Sequence, residues 1–194
     1  MPAPASQQRD QTGREIGSLF SSEEWWRDHY YHIKLQGYVL RPRYSPDWQP
    51  SWKRQGKSFL SAEDGRPTLV SFVFGAFGAQ ADKPYQLRAV MDATRKRDGK
   101  QVMLKKVIPD SGEGAHELRI AQFFSSPQLV RDPRNHCVPL LDVIEIPNTG
   151  QKLMVMPFLR PFKNPRLQTF GEFVGFFTQV CEVSFPEFVV TNQF

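Results

Sequence analysis

Cysteine is scarce in this sequence of 194 residues, with only Cys137 and Cys181. Two isolated cysteines have neither the spacing of a zinc site nor the closely spaced, even-numbered set of a disulfide framework, so a reducing compartment is the simpler expectation. The four histidines show no metal-ligand spacing with the cysteines. We therefore predict no metal site.

Long apolar runs are also missing. No run approaches the roughly 18 residues that span a bilayer, and the first eight residues contain no basic segment followed by an apolar one. A secretory signal peptide needs both of those parts. We therefore expect no signal peptide, no membrane partner and a cytoplasmic or nuclear location.

Charge is mildly positive, with a net charge of +5 and a pI near 9.3. Hydrophobic residues make up 40% and charged residues 23%, which is typical of a soluble globular protein. The length of 194 residues suggests one domain or one and a half. The basic residues near position 96 suggest a nucleic-acid patch as one reading. The interleaved aromatic residues that bind single strands are missing, so a solvated turn is favoured and we predict no nucleic-acid partner.

The strongest local signal is the segment 90–107, where two apolar-bearing stretches flank the pair Asp98-Gly99. An Asp-Gly pair between strand-like runs predicts a tight hairpin, because such turns need positive φ. Lys105 stands near the end of the second strand. The period of two places it on the same face as Met103.

A helix and a second hairpin are expected after this first hairpin. The helix is predicted from near Glu113 to about Ser126, and four of its residues recur at helical spacing. Those residues are Glu117, Ile120, Ala121 and Phe124. Residues 138–146 and 153–156 read as two strands around the turn 147–150, and residues 157–162 as an irregular connector.

The last predicted helix opens at Thr169, because Glu172 three residues later completes a capping box. Its apolar positions are Phe173, Phe176, Phe177 and Val180. They recur at i, i+3, i+4 and i+7, so they indicate one apolar face.

The first half of the chain is less regular. Residues 1–17 are polar and expected to be disordered, and Ser21 or Ser22 looks like a helix start. That helix would carry an apolar side of Trp25, Trp26, Tyr30, Ile33 and Leu35. Prolines predict an extended stretch over residues 37–52, whose aromatic side chains dock it onto the globular part. Residues 69–80 favour a buried strand or hairpin over a phosphate-binding loop.

A strand lysine followed by a helix glutamate about a dozen residues later is the order found in protein kinases. With the two hairpins and the connector after residue 156, the chain resembles the N-terminal lobe and hinge of the protein kinase domain family. Phrases such as Asp92-Ala93-Thr94-Arg95 are similar to those of fungal kinase-like proteins. The resemblance runs from about Tyr38 to Glu182. It implies an α+β fold, with an antiparallel small-lobe sheet and helix C, then the hinge and the first large-lobe helix.

The resemblance also implies roles for individual residues. Lys105 would hold the α- and β-phosphates of ATP, and Glu117 would pair with it; these are the two catalytic positions implied. Val90 would cover the adenine and Met156 would stand at the gatekeeper position. The hinge would offer backbone groups of Pro157 and Leu159 to the adenine edge. The implied cofactor-binding set is Val90, Lys105, Met156, Pro157 and Leu159.

Departures from the family's pattern weaken the implied site. Lys83, Tyr85 and Arg88 stand where the three glycines of the phosphate loop belong, and Met103 replaces a small residue beside the adenine. No H-R-D and no D-F-G occurs in the sequence, so the family's Mg²⁺ ligands are absent. We expect ATP binding to be weak or lost, and the chain to be truncated before the catalytic loop.

The domain division expected from the resemblance has three parts. Residues 1–37 form a partly disordered extension, residues 38–159 the kinase-like lobe and hinge, and residues 160–194 the start of a large-lobe helix with an atypical tail. The implied function is that of an ATP-dependent phosphotransferase acting on protein Ser/Thr hydroxyls, inactive in this form. The alternative is a non-catalytic, pseudokinase-like module that binds protein partners. For the truncated lobe we also expect self-association through the exposed final helix.

Overall fold

The described part of the chain has an α+β fold, with one sheet and helices before, between and after its strands. The computed structural model describes residues 19, 21–51, 89–109, 112–159 and 166–184. In chain order the elements are α1 (Ser21–Asp28), α2 (Tyr30–Leu35), β1 (Tyr38–Val39), a 3-10 helix (Pro42–Tyr44), β2 (Val90–Arg95), β3 (Gln101–Val107), α3 (Gly112–Phe124), β4 (Asp142–Ile146), β5 (Gln151–Pro157) and α4 (Phe170–Ser184). The five strands are ordered β1-β2-β3-β5-β4. The expectations for residues 1–17, 69–80, 83, 85 and 88 lie outside the described residues.

The chain divides into two compact units, Met1–Gln101 and Val102–Phe194. Across the described parts of both units, helices are too short or too polar to cross a membrane.

The core of the first unit includes the apolar side of α1 and α2. Trp26, Tyr30 and Ile33 are buried, as the apolar spacing predicted. The prediction was wrong for Leu35, which is 83% exposed in the last turn of α2. The helical segment is also interrupted at His29, so two short helices replace the single predicted one.

A short 3-10 helix interrupts the stretch that was predicted to be fully extended. Pro42 opens it, because the fixed φ of proline suits a first helical position. The docking of aromatic side chains is confirmed, since Tyr44 is completely buried. Its hydroxyl donates a hydrogen bond of 2.9 Å to Glu23 in α1. The carboxylate of Glu23 therefore ties α1 to this turn.

The first hairpin turns at the predicted Asp-Gly pair. Gly99 has a φ of +69°, which a residue with a Cβ rarely adopts. The Arg95 amide donates to the Lys100 carbonyl at 2.9 Å and closes the turn. The Arg95 guanidinium donates to both carboxylate oxygens of Asp98, at 3.0 Å and 2.6 Å. This two-point contact fixes the turn at the end of β2.

The Asp98 carboxyl is expected to titrate well below an ordinary aspartate. Hydrogen bonds from Arg95, and then from the Lys100 amide, hold its pKa at about 2. Because the folded pKa is depressed, its stabilising contribution is complete above pH ~4, the ordinary value, and is lost as pH falls through about 2. NMR titration of the carboxyl carbon measures this pKa directly. Asp98→Asn should reduce the pH dependence of the unfolding midpoint between pH ~4 and about 2. A carboxyl titrating near pH 4 in the folded protein would contradict the prediction.

The second hairpin belongs to the second unit. Its turn has positive φ at Asn148 (60°) and Gly150 (63°), and β4 pairs antiparallel with β5. The first strand is shorter than predicted, because β4 begins at Asp142 and Val138 lies in the preceding loop. In that loop the Leu140 amide donates to the Ser125 side chain at 2.7 Å. This bond ties the segment to the end of α3, and the Leu141 amide then donates to the Val155 carbonyl of β5 at 2.8 Å.

Helix α3 packs on one face of the β3–β5 pair, as the small core of Val107, Leu118 and Met154 shows. The sequence pattern misjudged which residues of α3 are most buried. Leu118 is 6% exposed, whereas Ile120 of the predicted stripe is 56% exposed. The stripe lies along an open groove beside that core.

Helix α4 begins with the predicted capping box. The Glu172 amide donates to the Thr169 hydroxyl at 3.1 Å, and the Glu172 carboxylate accepts from the Thr169 amide at 3.1 Å. It also accepts from the Gln168 amide at 2.6 Å, so several free donors of the helix start are satisfied. The apolar face of α4 is exposed: Phe170, Phe173, Val174, Phe177 and Val180 are 44–80% exposed.

Candidate functional site

Strand β3 presents Lys105 to helix α3. Lys105 lies opposite Met154 of β5, and Met103 lies opposite Met156. Directly opposed residues of an antiparallel pair share a face, so these four side chains lie on the side of the sheet that carries α3. The lysine is about one-third exposed.

Glu117, in the second turn of α3, forms an ion pair with Lys105. The Lys105 ammonium donates a hydrogen bond to the Glu117 carboxylate, and the two side chains are 34% and 40% exposed. Partly exposed ion pairs contribute only up to about 1 kcal/mol to stability. The pair therefore matters mainly because it fixes an ammonium between a strand and a helix.

The neighbouring lysine behaves differently. Lys106 lies on the opposite face of β3, paired with Leu153, and burial lowers the pKa of its ammonium. The two adjacent lysines therefore have different partners and surroundings. Of these two lysines, only Lys105 lies on the side of the sheet that carries α3 and Glu117.

Beside the ion pair lies a cavity of about 510 Å³, which we call the apolar groove. It is lined by His116, Glu117, Ile120, Ala121, Phe124, Cys137, Met154 and Met156. Its volume is within the range of small-molecule pockets. Five of the eight lining side chains are hydrocarbon or thioether groups, so the groove suits apolar groups with a polar edge at Glu117.

The cysteine of the groove is not set up as a nucleophile. Burial raises the pKa of the Cys137 thiol, so the thiol form is favoured over the reactive thiolate. Within the described ranges, no three His, Cys, Asp or Glu side chains are grouped to hold a metal ion. The groove therefore offers contact surface and one carboxylate.

Only some of the residues assigned from the resemblance lie close together. Lys105, Glu117 and Met156 lie around the apolar groove, whereas Pro157 and Leu159 do not line it. Pro157 is the last residue of β5, opposite Val102, so the strand runs into the segment predicted to be a connector. Leu159 follows it and is 54% exposed.

Val90 belongs to the other unit, where it is the first residue of β2 and half-buried. Its predicted role over an adenine ring stays a prediction.

Sequence reasoning missed three residues that help to build this region. His116 and Cys137 line the groove, and the imidazole Nε2 of His136 lies 2.7 Å from a Glu182 carboxylate oxygen. Cys137 and His136 stand in an irregular loop, where no periodic pattern reveals which way a side chain points. A search of protein-family models, curated proteins and solved structures finds no match to this chain.

Proposed function

We propose that this chain is a protein-kinase-like small lobe with its hinge, related to ATP-dependent phosphotransferases that act on protein Ser/Thr hydroxyls. The observation that supports the proposal best is the Lys105–Glu117 ion pair between a strand and the following helix. In protein kinases a pair in this order sets the lysine that holds the α- and β-phosphates. The preceding hairpin and the following one are in the order that the same proposal requires.

In this proposal Lys105 supplies the cation for phosphate oxygens. An ammonium that is one-third exposed and held by a carboxylate is oriented, yet still reachable by a charged ligand. Met103 and Met156 lie opposite each other on the same face. Two long side chains narrow the space available to a purine, so binding should be weak.

The test is a thermal-shift titration with Mg-ATP. A ligand that binds only the folded state raises the unfolding midpoint in proportion to its occupancy. We expect a small shift that requires millimolar rather than micromolar nucleotide, and Lys105→Ala should abolish it. Lys106→Ala is the matched control, because it removes the same ammonium from the adjacent position on the opposite face.

Two results would contradict the proposal. Equal loss of the shift in both lysine variants would show that the effect is general charge attraction. Micromolar affinity would show that the crowding by Met103 and Met156 has been misjudged.

The second candidate function is a pseudokinase-like module that binds protein partners and transfers no phosphate. The exposed apolar face of α4 supports this alternative, because large contiguous apolar surfaces mark interaction sites. Mg-ATP binding followed by an autophosphorylation assay separates the two. The partner-binding module predicts binding of protein without phosphate transfer.

A further inference from the structure

Helix α4 carries a continuous ridge of apolar side chains on its exposed side. The phenylalanine ridge consists of Phe170, Phe173, Phe177 and Val180, spaced three, four and three residues apart. The Phe173 and Phe177 rings are 4.4 Å apart and the Phe170 and Phe173 rings 6.4 Å apart, so the rings form one surface. This spacing is the one by which an amphipathic helix docks its apolar face into a groove.

The same unit also contains an open groove of matching chemistry. The apolar groove is walled by Ile120, Ala121 and Phe124 of α3 and floored by Met154 and Met156. Thioether side chains are flexible and make favourable contacts with aromatic rings, so they adapt to inserted phenylalanines. Because the ridge is exposed, it does not fill the groove of its own molecule.

Docking would bury no unpaired charge from either surface. Among its described residues α4 has no lysine or arginine, and its two carboxylates are already engaged. Glu172 accepts backbone amides at the helix start, and Glu182 contacts His136. In the groove, Glu117 is held by Lys105. The usual penalty for burying a lone charge is therefore avoided.

We propose that the phenylalanine ridge of one molecule docks into the apolar groove of a second copy of this chain. The contact is head-to-tail, because it joins two different surfaces. Each pair then retains one ridge and one groove that are outside the contact between the two molecules, so assembly continues beyond the dimer as concentration rises. The proposal does not rest on the proposed nucleotide site, but it shares Glu117 and Met156 with that site.

Complementation between two variants tests this arrangement. Phe173→Gln/Phe177→Gln removes the ridge and leaves the groove, whereas Ile120→Glu places a charge in the groove and leaves the ridge. Both substitutions are at exposed helical positions, so the fold should survive, which circular dichroism checks. Leu35→Glu is the matched control, since Leu35 is an exposed apolar residue outside both surfaces.

Sedimentation velocity over a concentration series gives the readout. The wild type and Leu35→Glu should form species larger than a dimer, and each surface variant alone should stay monomeric. Their equimolar mixture should form a pair of one molecule each, because one groove and one ridge remain. Phe170→Gln, at a position that is 80% exposed, should weaken the wild-type association about tenfold or more.

Three results would overturn the proposal. A monomeric wild type at all concentrations would exclude it. A mixture that stays monomeric, with both variants folded, would exclude ridge-to-groove docking. Association that survives Ile120→Glu but not the ridge variant would show that two ridges pair with each other instead.

Discussion

A protein of these 194 residues is expected to transfer no phosphoryl group from Mg-ATP to itself or to a protein substrate. Phosphoryl transfer depends on metal ions that neutralise the transferring phosphate and on a carboxylate that positions the attacking hydroxyl. In protein kinases the H-R-D and D-F-G motifs provide these groups, and neither motif occurs in this sequence. In the proposed role Lys105 would hold phosphate oxygens, but a lysine cannot replace a metal ligand.

The measurement is incorporation of labelled γ-phosphate, compared among the wild type, Lys105→Ala and Lys106→Ala. Equal background in all three is the expected result, because a contaminating kinase would be indifferent to either lysine. Turnover that is retained in Lys106→Ala and lost in Lys105→Ala would contradict the prediction. It would also show that other residues of this chain supply the missing metal ligands.

Features with a strong local cause could be predicted from the sequence. The turn at Asp98-Gly99 follows from a backbone conformation that glycine adopts easily, and Gly99 has a φ of +69°. The start of α4 follows from reciprocal bonds between Thr169 and Glu172. The contact between Lys105 and Glu117 was implied by the resemblance to protein kinases, and the two side chains do form an ion pair.

Features decided by tertiary packing could not be predicted in the same way. Leu35 fits the apolar spacing of α2, yet it is exposed because the chain turns away at Gly37, where φ is +92°. In α3 the stripe containing Ile120 borders the apolar groove, and Leu118 makes the core contact. Periodicity gives the sides of a helix, but the neighbouring elements decide which side is covered.

The sequence predicted only one wall of the groove, the helical stripe of Glu117, Ile120, Ala121 and Phe124. Its lining residues come from α3, from β5 and from the loop that contains Cys137. The spacing within α3 does not indicate which strand and which loop lie opposite that stripe. This is why a site built by tertiary structure becomes recognisable only once the elements are placed.

Replacing Trp26 by alanine is expected to be among the most destabilising single changes in the first unit. Trp26 is 1% exposed, and it is one of the largest side chains that are completely enclosed. Truncating a buried tryptophan costs about 3–5 kcal/mol, because the transfer free energy of the removed atoms is lost and a cavity is left in the core. A typical domain is stable by only about 5–15 kcal/mol, so much of the folded population would be lost on mild heating.

Trp25→Ala is the matched control for this prediction, because it removes the same side chain from the adjacent position of α1. Trp25 is half-buried and its ring stacks on His29 with centroids 4.2 Å apart, so less apolar surface becomes exposed and a smaller cavity forms. Urea denaturation should therefore show a clearly larger drop in midpoint for Trp26→Ala than for Trp25→Ala, with similar slopes. Equal drops would contradict the prediction, because they would mean that α1 does not pack mainly through Trp26.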